Sequence, residues 1–158
     1  MKKIIYLFSV LFLFSCNSDE ITPPNQPQNS NYQRTGKNEN ILLSTEQAKV
    51  VAINFFSTQT KLKIEEIKVK SIEIINDYNK EVAVYSVNIE PIGFVLVSAN
   101  TRNVPIIAFS DDNLFIFDDN SPDGLKSWLA ESILLGDELE KMEKPTIEIQ
   151  NQWADLGI

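Results

Sequence analysis

The sequence predicts an α+β fold, an antiparallel β-sheet of about four strands flanked by an N-terminal and a C-terminal helix. Three observations predict it. Residues 44–58 place apolar side chains at helical spacing behind a capping signal. Residues 67–109 hold β-branched and aromatic runs separated by turn residues. Residues 122–142 return to helical spacing.

The first helix begins at Ser44, with Gln47 three residues on to complete a capping box and Leu43 placed to staple onto Ala48. Ala48, Val51, Ala52 and Phe55 then recur at i, i+3, i+4 and i+7, and this face is expected to be buried. Residues 67–75 and 82–89 read as strands, the second with Ala83, Tyr85, Val87 and Ile89 on one face. Glu90-Pro91-Ile92-Gly93 is a turn, because proline presets φ and glycine tolerates positive φ. Residues 94–99 and 104–109 form a hairpin whose strands are apolar on both faces. They are expected in the middle of the sheet, under a helix on one side. Leu114 to Phe117 reads as a short further strand. Pro122 and Asp123 suit the start of a second helix, and Leu125, Trp128, Leu129 and Ile133 form its apolar stripe. That stripe assigns Trp128 to the core rather than to an interface. Pro145 ends the helix, and the tail after it shows little pattern, although Ile147, Ile149, Trp153 and Leu156 are able to dock.

The N-terminus reads as an export signal. Lys2 and Lys3 precede an apolar run from Ile4 to Phe14, too short for the about 20 residues of a membrane-spanning helix. Leu13-Phe14-Ser15-Cys16 resembles a lipoprotein signal, with residues 1–15 removed and Cys16 acylated by a diacylglycerol. The alternative is an ordinary secretory signal beside an incidental cysteine. Asp19-Glu20 is similar to a surface-export signal of bacterial lipoproteins. The expected location is therefore the outer membrane or cell surface, with the periplasmic leaflet as the other possibility. Residues 16–42 are poor in apolar side chains and rich in Asn, Gln, Pro and Ser, the composition of a tether spanning about 25–30 Å. Residues 43–144 form the folded domain and 145–158 its tail.

Composition removes several function classes. The 158-residue chain has no histidine and one cysteine, which excludes Ser-His-Asp and Cys-His catalysis and any intrachain disulfide. Zinc loses its usual nitrogen and sulfur ligands. A carboxylate-only enzyme needs two acids held about 5–10 Å apart in a cleft, and no pair is marked out. The net charge of −8 speaks against nucleic acid and against anionic membranes as electrostatic partners. No enzymatic activity and no cofactor are expected.

Residues 118–124 are the most polar loop of the domain, Asp118-Asp119-Asn120-Ser121-Pro122-Asp123-Gly124. Asp119, Ser121 and Asp123 are spaced like the start of a calcium loop. The twelfth position, where a bidentate glutamate belongs, is Ala130, and Lys126 intrudes, so no metal site is expected. Arg102, in the hairpin turn, reads as a solvated charge.

Three pieces, taken in order, carry a resemblance. The first is the helix Thr45-Glu46-Gln47-Ala48-Lys49-Val50-Val51-Ala52-Ile53-Asn54-Phe55-Phe56. The second is Val84-Tyr85-Ser86-Val87-Asn88-Ile89 followed by Gly93-Phe94-Val95-Leu96-Val97-Ser98-Ala99-Asn100-Thr101-Arg102. The third is Val104-Pro105-Ile106-Ile107-Ala108-Phe109-Ser110 and then Leu125-Lys126-Ser127-Trp128-Leu129. Over residues 44–135 the chain resembles the propeptide of streptopain-type cysteine proteases and the related stand-alone Spi-type inhibitors. The resemblance implies an inhibitor domain that docks on a streptopain-like, papain-fold cysteine protease and blocks its active site, and the N-terminal signal adds a lipid anchor to that expectation. It also implies a protease-facing loop before the last helix, here Asn120, Ser121, Pro122, Asp123 and Gly124. In that family an asparagine displaces the catalytic histidine. Aligning Leu125-Lys126-Ser127-Trp128 puts the position at Gly124, which has no side chain to insert, so Asp123 and Asn120 are the polar candidates. Two alternatives stay open. One is a severed or trans-acting protease prodomain that assists folding. The other is a surface binding module unrelated to proteases.

Overall fold

The computed structural model describes residues 41–141 and 144–158. The expected signal segment, Cys16 and all of the tether but its last two residues lie outside them.

Helix α1, Thr45–Gln59, starts as its capping box dictates. The Ser44 amide donates to Gln47 Oε1 at 2.9 Å, and the Gln47 amide donates to Ser44 Oγ at 3.2 Å. Its buried residues are Ala48, Val51, Ala52 and Phe56. Phe56 takes the place expected for Phe55, because a straight 3.6-residue period brings it under the sheet. Phe55 lies at the margin, edge-on to Phe109 with 5.1 Å between ring centroids. A short 3₁₀ turn, Ile64–Glu66, leads into the sheet.

Strands β1 (Lys68–Asn76), β2 (Val82–Glu90), β3 (Phe94–Ser98) and β4 (Ile106–Ser110) pair antiparallel in the order β1-β2-β3-β4. Each strand therefore neighbours the next in the chain. The β2–β3 turn works because Gly93 sits at φ 156°, and a Cβ there would approach the Phe56 ring to 2.8 Å. The β3–β4 turn closes through the Asn103 amide on the Asn100 carbonyl at 3.1 Å. Arg102 in that turn is partly buried rather than fully solvated. The chain just ahead of α1 also joins the structure. The Leu43 amide donates to the Ala99 carbonyl, and the Thr101 amide donates to the Ile41 carbonyl.

Both faces of the sheet are covered, not one as the hairpin pattern suggested. On one face Tyr85, Val87, Ile89, Val95 and Val97 pack with α1 and with the tail. Residues 147–155 of that tail form helix α3 (Ile147–Asp155). Ile149, Trp153 and Leu156 are buried, and Ile147 is exposed. On the other face Val84 and Leu96 pack against helix α2 (Asp123–Glu140) through Leu129, with Leu125 and Ile133 beside it. Ala83 belongs to this second face. The register slips between Ile75 and Asn76 opposite it, which turns Ala83 away from the side that strict alternation assigns. Trp128 is 39% exposed, because the core-facing line of α2 is Leu125, Leu129 and Ile133 at four-residue steps. Residues 113–117 are an extended strap across this face and not a fifth strand.

Candidate functional site

The side chain of Asn88 ties the backbone of the strap to the sheet. Asn88 is buried in β2 on the α2 side, and its carboxamide faces the backbone of Phe115. The Phe115 amide donates to Asn88 Oδ1 at 2.8 Å, while Asn88 Nδ2 donates to the Phe115 carbonyl at 3.0 Å. The carboxamide thus supplies the two bonds that a neighbouring strand would have made. The Phe115 ring packs 5.2 Å from that of Phe94 and stacks on that of Phe117 at 6.2 Å. Ile116, the next residue, is 69% exposed.

Seven residues further on, the chain reaches α2 through the loop that the sequence singled out. This loop is organised by its own polar groups. Ser121 is buried, and its Oγ accepts from the Asp118 amide at 2.9 Å. The Asp118 carboxylate accepts from the Asn120 amide at 2.8 Å. The Ser121 amide donates to the Asp118 carbonyl at 3.1 Å. Lys126, on the first turn of α2, donates from Nζ to the Asp119 carbonyl at 2.6 Å. The Pro122 carbonyl receives the Leu125 and Lys126 amides and so opens the helix.

The five loop residues named from the sequence therefore divide in two. Ser121 points inward and fixes the shape. Asn120, Pro122, Asp123 and Gly124 are exposed. A Cβ added at Gly124 would meet nothing within 4 Å, so the surface in front of it is open. Asp111, Asp112, Asp118, Asp119 and Asp123 make the strap and loop acidic. Among the described residues no group of three or more His, Cys, Asp or Glu side chains is arranged to hold a metal ion.

Sequence reasoning missed Asn88 and the strap. A signal was present. Residues 94–98 are apolar on both faces, so the neighbouring strand must also be covered on both sides. Asn88, on the apparently polar side of that neighbour, then needs a hydrogen-bonding partner.

The exposed residues of the loop stand on an open surface, accessible to contact with another protein. Neither a search of the curated proteins nor one of the solved structures returns a match. The family model for the Spi protease inhibitor matches residues 40–132, which run from the residues ahead of α1 through all four strands, the strap and the loop into the first half of α2. The chain belongs to the Spi protease inhibitor family.

Proposed function

We propose that this protein inhibits a streptopain-like, papain-fold cysteine protease by laying Asn120, Pro122, Asp123 and Gly124 across its active site. The family match carries the reading, because the matched residues end just beyond the exposed, preformed loop. Such an enzyme works through a cysteine thiolate paired with a histidine imidazolium. The Asp123 carboxylate and the Asn120 carboxamide are the exposed polar groups able to meet that imidazolium, the carboxylate through a charge-assisted hydrogen bond. The inhibitor needs no chemistry of its own. It needs a loop whose conformational entropy is already spent, and the bonds around Ser121 and Asp118 supply that.

On this reading the chain is exported, loses residues 1–15 and is held at the outer membrane or cell surface through acylated Cys16. It thereby faces proteases made by the same cell. Among the described residues no helix is long and apolar enough to cross a membrane.

The test is a titration of residues 16–158, carrying Cys16→Ser, against a streptopain-like protease from the same genome. Stoichiometric loss of peptidase activity is expected. Asp123→Ala and Asn120→Ala should each weaken it about tenfold or more. Full inhibition by the double substitution would reject these two as the active-site contacts. Binding without inhibition, with faster folding of the protease, would favour a trans-acting prodomain.

A further inference from the structure

We propose that Asn88 is a positioning residue for the protease-facing surface. Its carboxamide presents Ile116 and the loop that follows as one preformed unit. The inference rests on the inhibitory reading above and extends it to residues that do not belong to the loop.

The strap has no ladder of its own. Its backbone is tied to the sheet at Phe115, through the paired bonds of 2.8 and 3.0 Å to Asn88. The pairing admits one orientation of the amide, oxygen toward the N–H and nitrogen toward the C=O. Asn88 is itself fixed, being 4% exposed and within 3.3 Å of Ser71 Oγ in β1. With Phe115 turned inward against Phe94, the alternation of an extended chain turns Ile116 outward. A protease cleft accepts extended backbone carrying side chains into subsites. A pinned extended segment with one apolar side chain outward has the form such a cleft receives, and it lies only four residues from Asn120. The partner chemistry is therefore an apolar subsite beside the catalytic pair, filled by Ile116. Asn88 touches no protease and acts by holding the backbone that does.

A double-mutant cycle tests this. Asn88→Leu keeps the branched shape of the side chain and removes both hydrogen bonds, and Ile116→Ala removes an exposed side chain. Each alone is expected to weaken inhibition about tenfold, measured per folded molecule. If Asn88 acts through the strap, Ile116→Ala in the Asn88→Leu background should cost less than about twofold. Additive effects, or unchanged inhibition by Asn88→Leu, would overturn the proposal. Amide hydrogen exchange of the free protein supplies a second readout. Residues 113–121 should lose protection in Asn88→Leu while α1 and β2 keep theirs, and uniform loss or no loss would overturn the positioning role. If Asn88→Leu does not fold, Asn88→Ser enters the same cycle. A wild-type chain that inhibits nothing refutes the functional reading, and the exchange result still decides whether Asn88 holds the strap.

Discussion

Trp153 donates its indole Nε1–H to the Asn103 carbonyl at 2.8 Å, joining α3 to the turn between β3 and β4. The same turn touches α2, where a Cβ at Gly136 would come within 2.7 Å of Asn103 Nδ2. Two helices from opposite faces of the sheet thus meet at one turn. α3 lies beyond residue 132, where the family match ends, yet Trp153 is 3% exposed.

Trp153→Ala should therefore destabilise the fold by about 3–5 kcal/mol, the range for a large aromatic removed from a core. Trp153→Phe keeps most of the packing and loses the hydrogen bond, and about 1–2 kcal/mol is expected. Urea unfolding followed by circular dichroism measures both. Equal losses would mean that the bond, and not the packing, holds α3.

Gly93→Ala is expected to cost about 2–4 kcal/mol. Its φ of 156° strains an L side chain, and the new methyl would meet Phe56 at 2.8 Å and the Ser110 carbonyl at 3.2 Å. Phe56 is 2% exposed and has little room to yield. A midpoint in urea within about 0.2 M of wild type would show that the β2–β3 turn can relax.

Gly124→Trp separates stability from function. The position is open in the free protein, so the melting temperature should stay within about 2 °C of wild type. The indole would stand in front of the proposed contact surface, and inhibition should fall about 100-fold or more. Inhibition at wild-type strength would place the contact surface elsewhere.

Tyr85 gives a pH dependence. Burial raises its phenol above the ordinary 10.0, with the Thr45 hydroxyl opposing, and its hydroxyl donates to the Leu43 carbonyl at 2.8 Å. The unfolded chain ionises this group first as pH rises. Its contribution is complete below about pH 10 and is lost as pH climbs through the raised folded value. Tyr85→Phe should be less stable at pH 7 by about 1 kcal/mol, for the lost hydrogen bond, and should lose less on going from pH 9 to 11.5. Parallel stability profiles for the two proteins would remove Tyr85 as the cause.

The scaffold was largely legible because its signals are local. The Ser44–Gln47 box, the alternation around Tyr85 and Val87, and Gly93 after a proline each constrain a few neighbouring residues. What escaped depended on partners distant in the chain. Residues 114–117 alternate like a strand whether their backbone meets another strand or the single side chain of Asn88. Trp128 sits one helical step, about 100°, from the Leu125–Leu129–Ile133 line, and spacing alone does not say which side of the stripe faces the sheet. Helix α3 is nine residues long, and its two buried residues, Ile149 and Trp153, are separated by Gln150, Asn151 and Gln152. Pro145 signals a stop, and Thr146 directly behind it caps a new helix that no run of apolar residues announces. At the candidate site, composition marked the loop as exposed. That Ser121 turns inward follows from bonds to Asp118, which spacing cannot show.

The strand order has a kinetic consequence. A meander pairs each strand with the one made just before it, so the sheet has low contact order and can assemble early. Closure of the α1 face is the opposite case. Asn54 Nδ2 meets the Leu156 carbonyl at 3.0 Å across 102 residues of sequence. During synthesis that latch shuts last, after every strand is in place. Until then the apolar surface that will receive Ile149, Trp153 and Leu156 stays bare. That interval is when the chain is most open to proteolysis and aggregation.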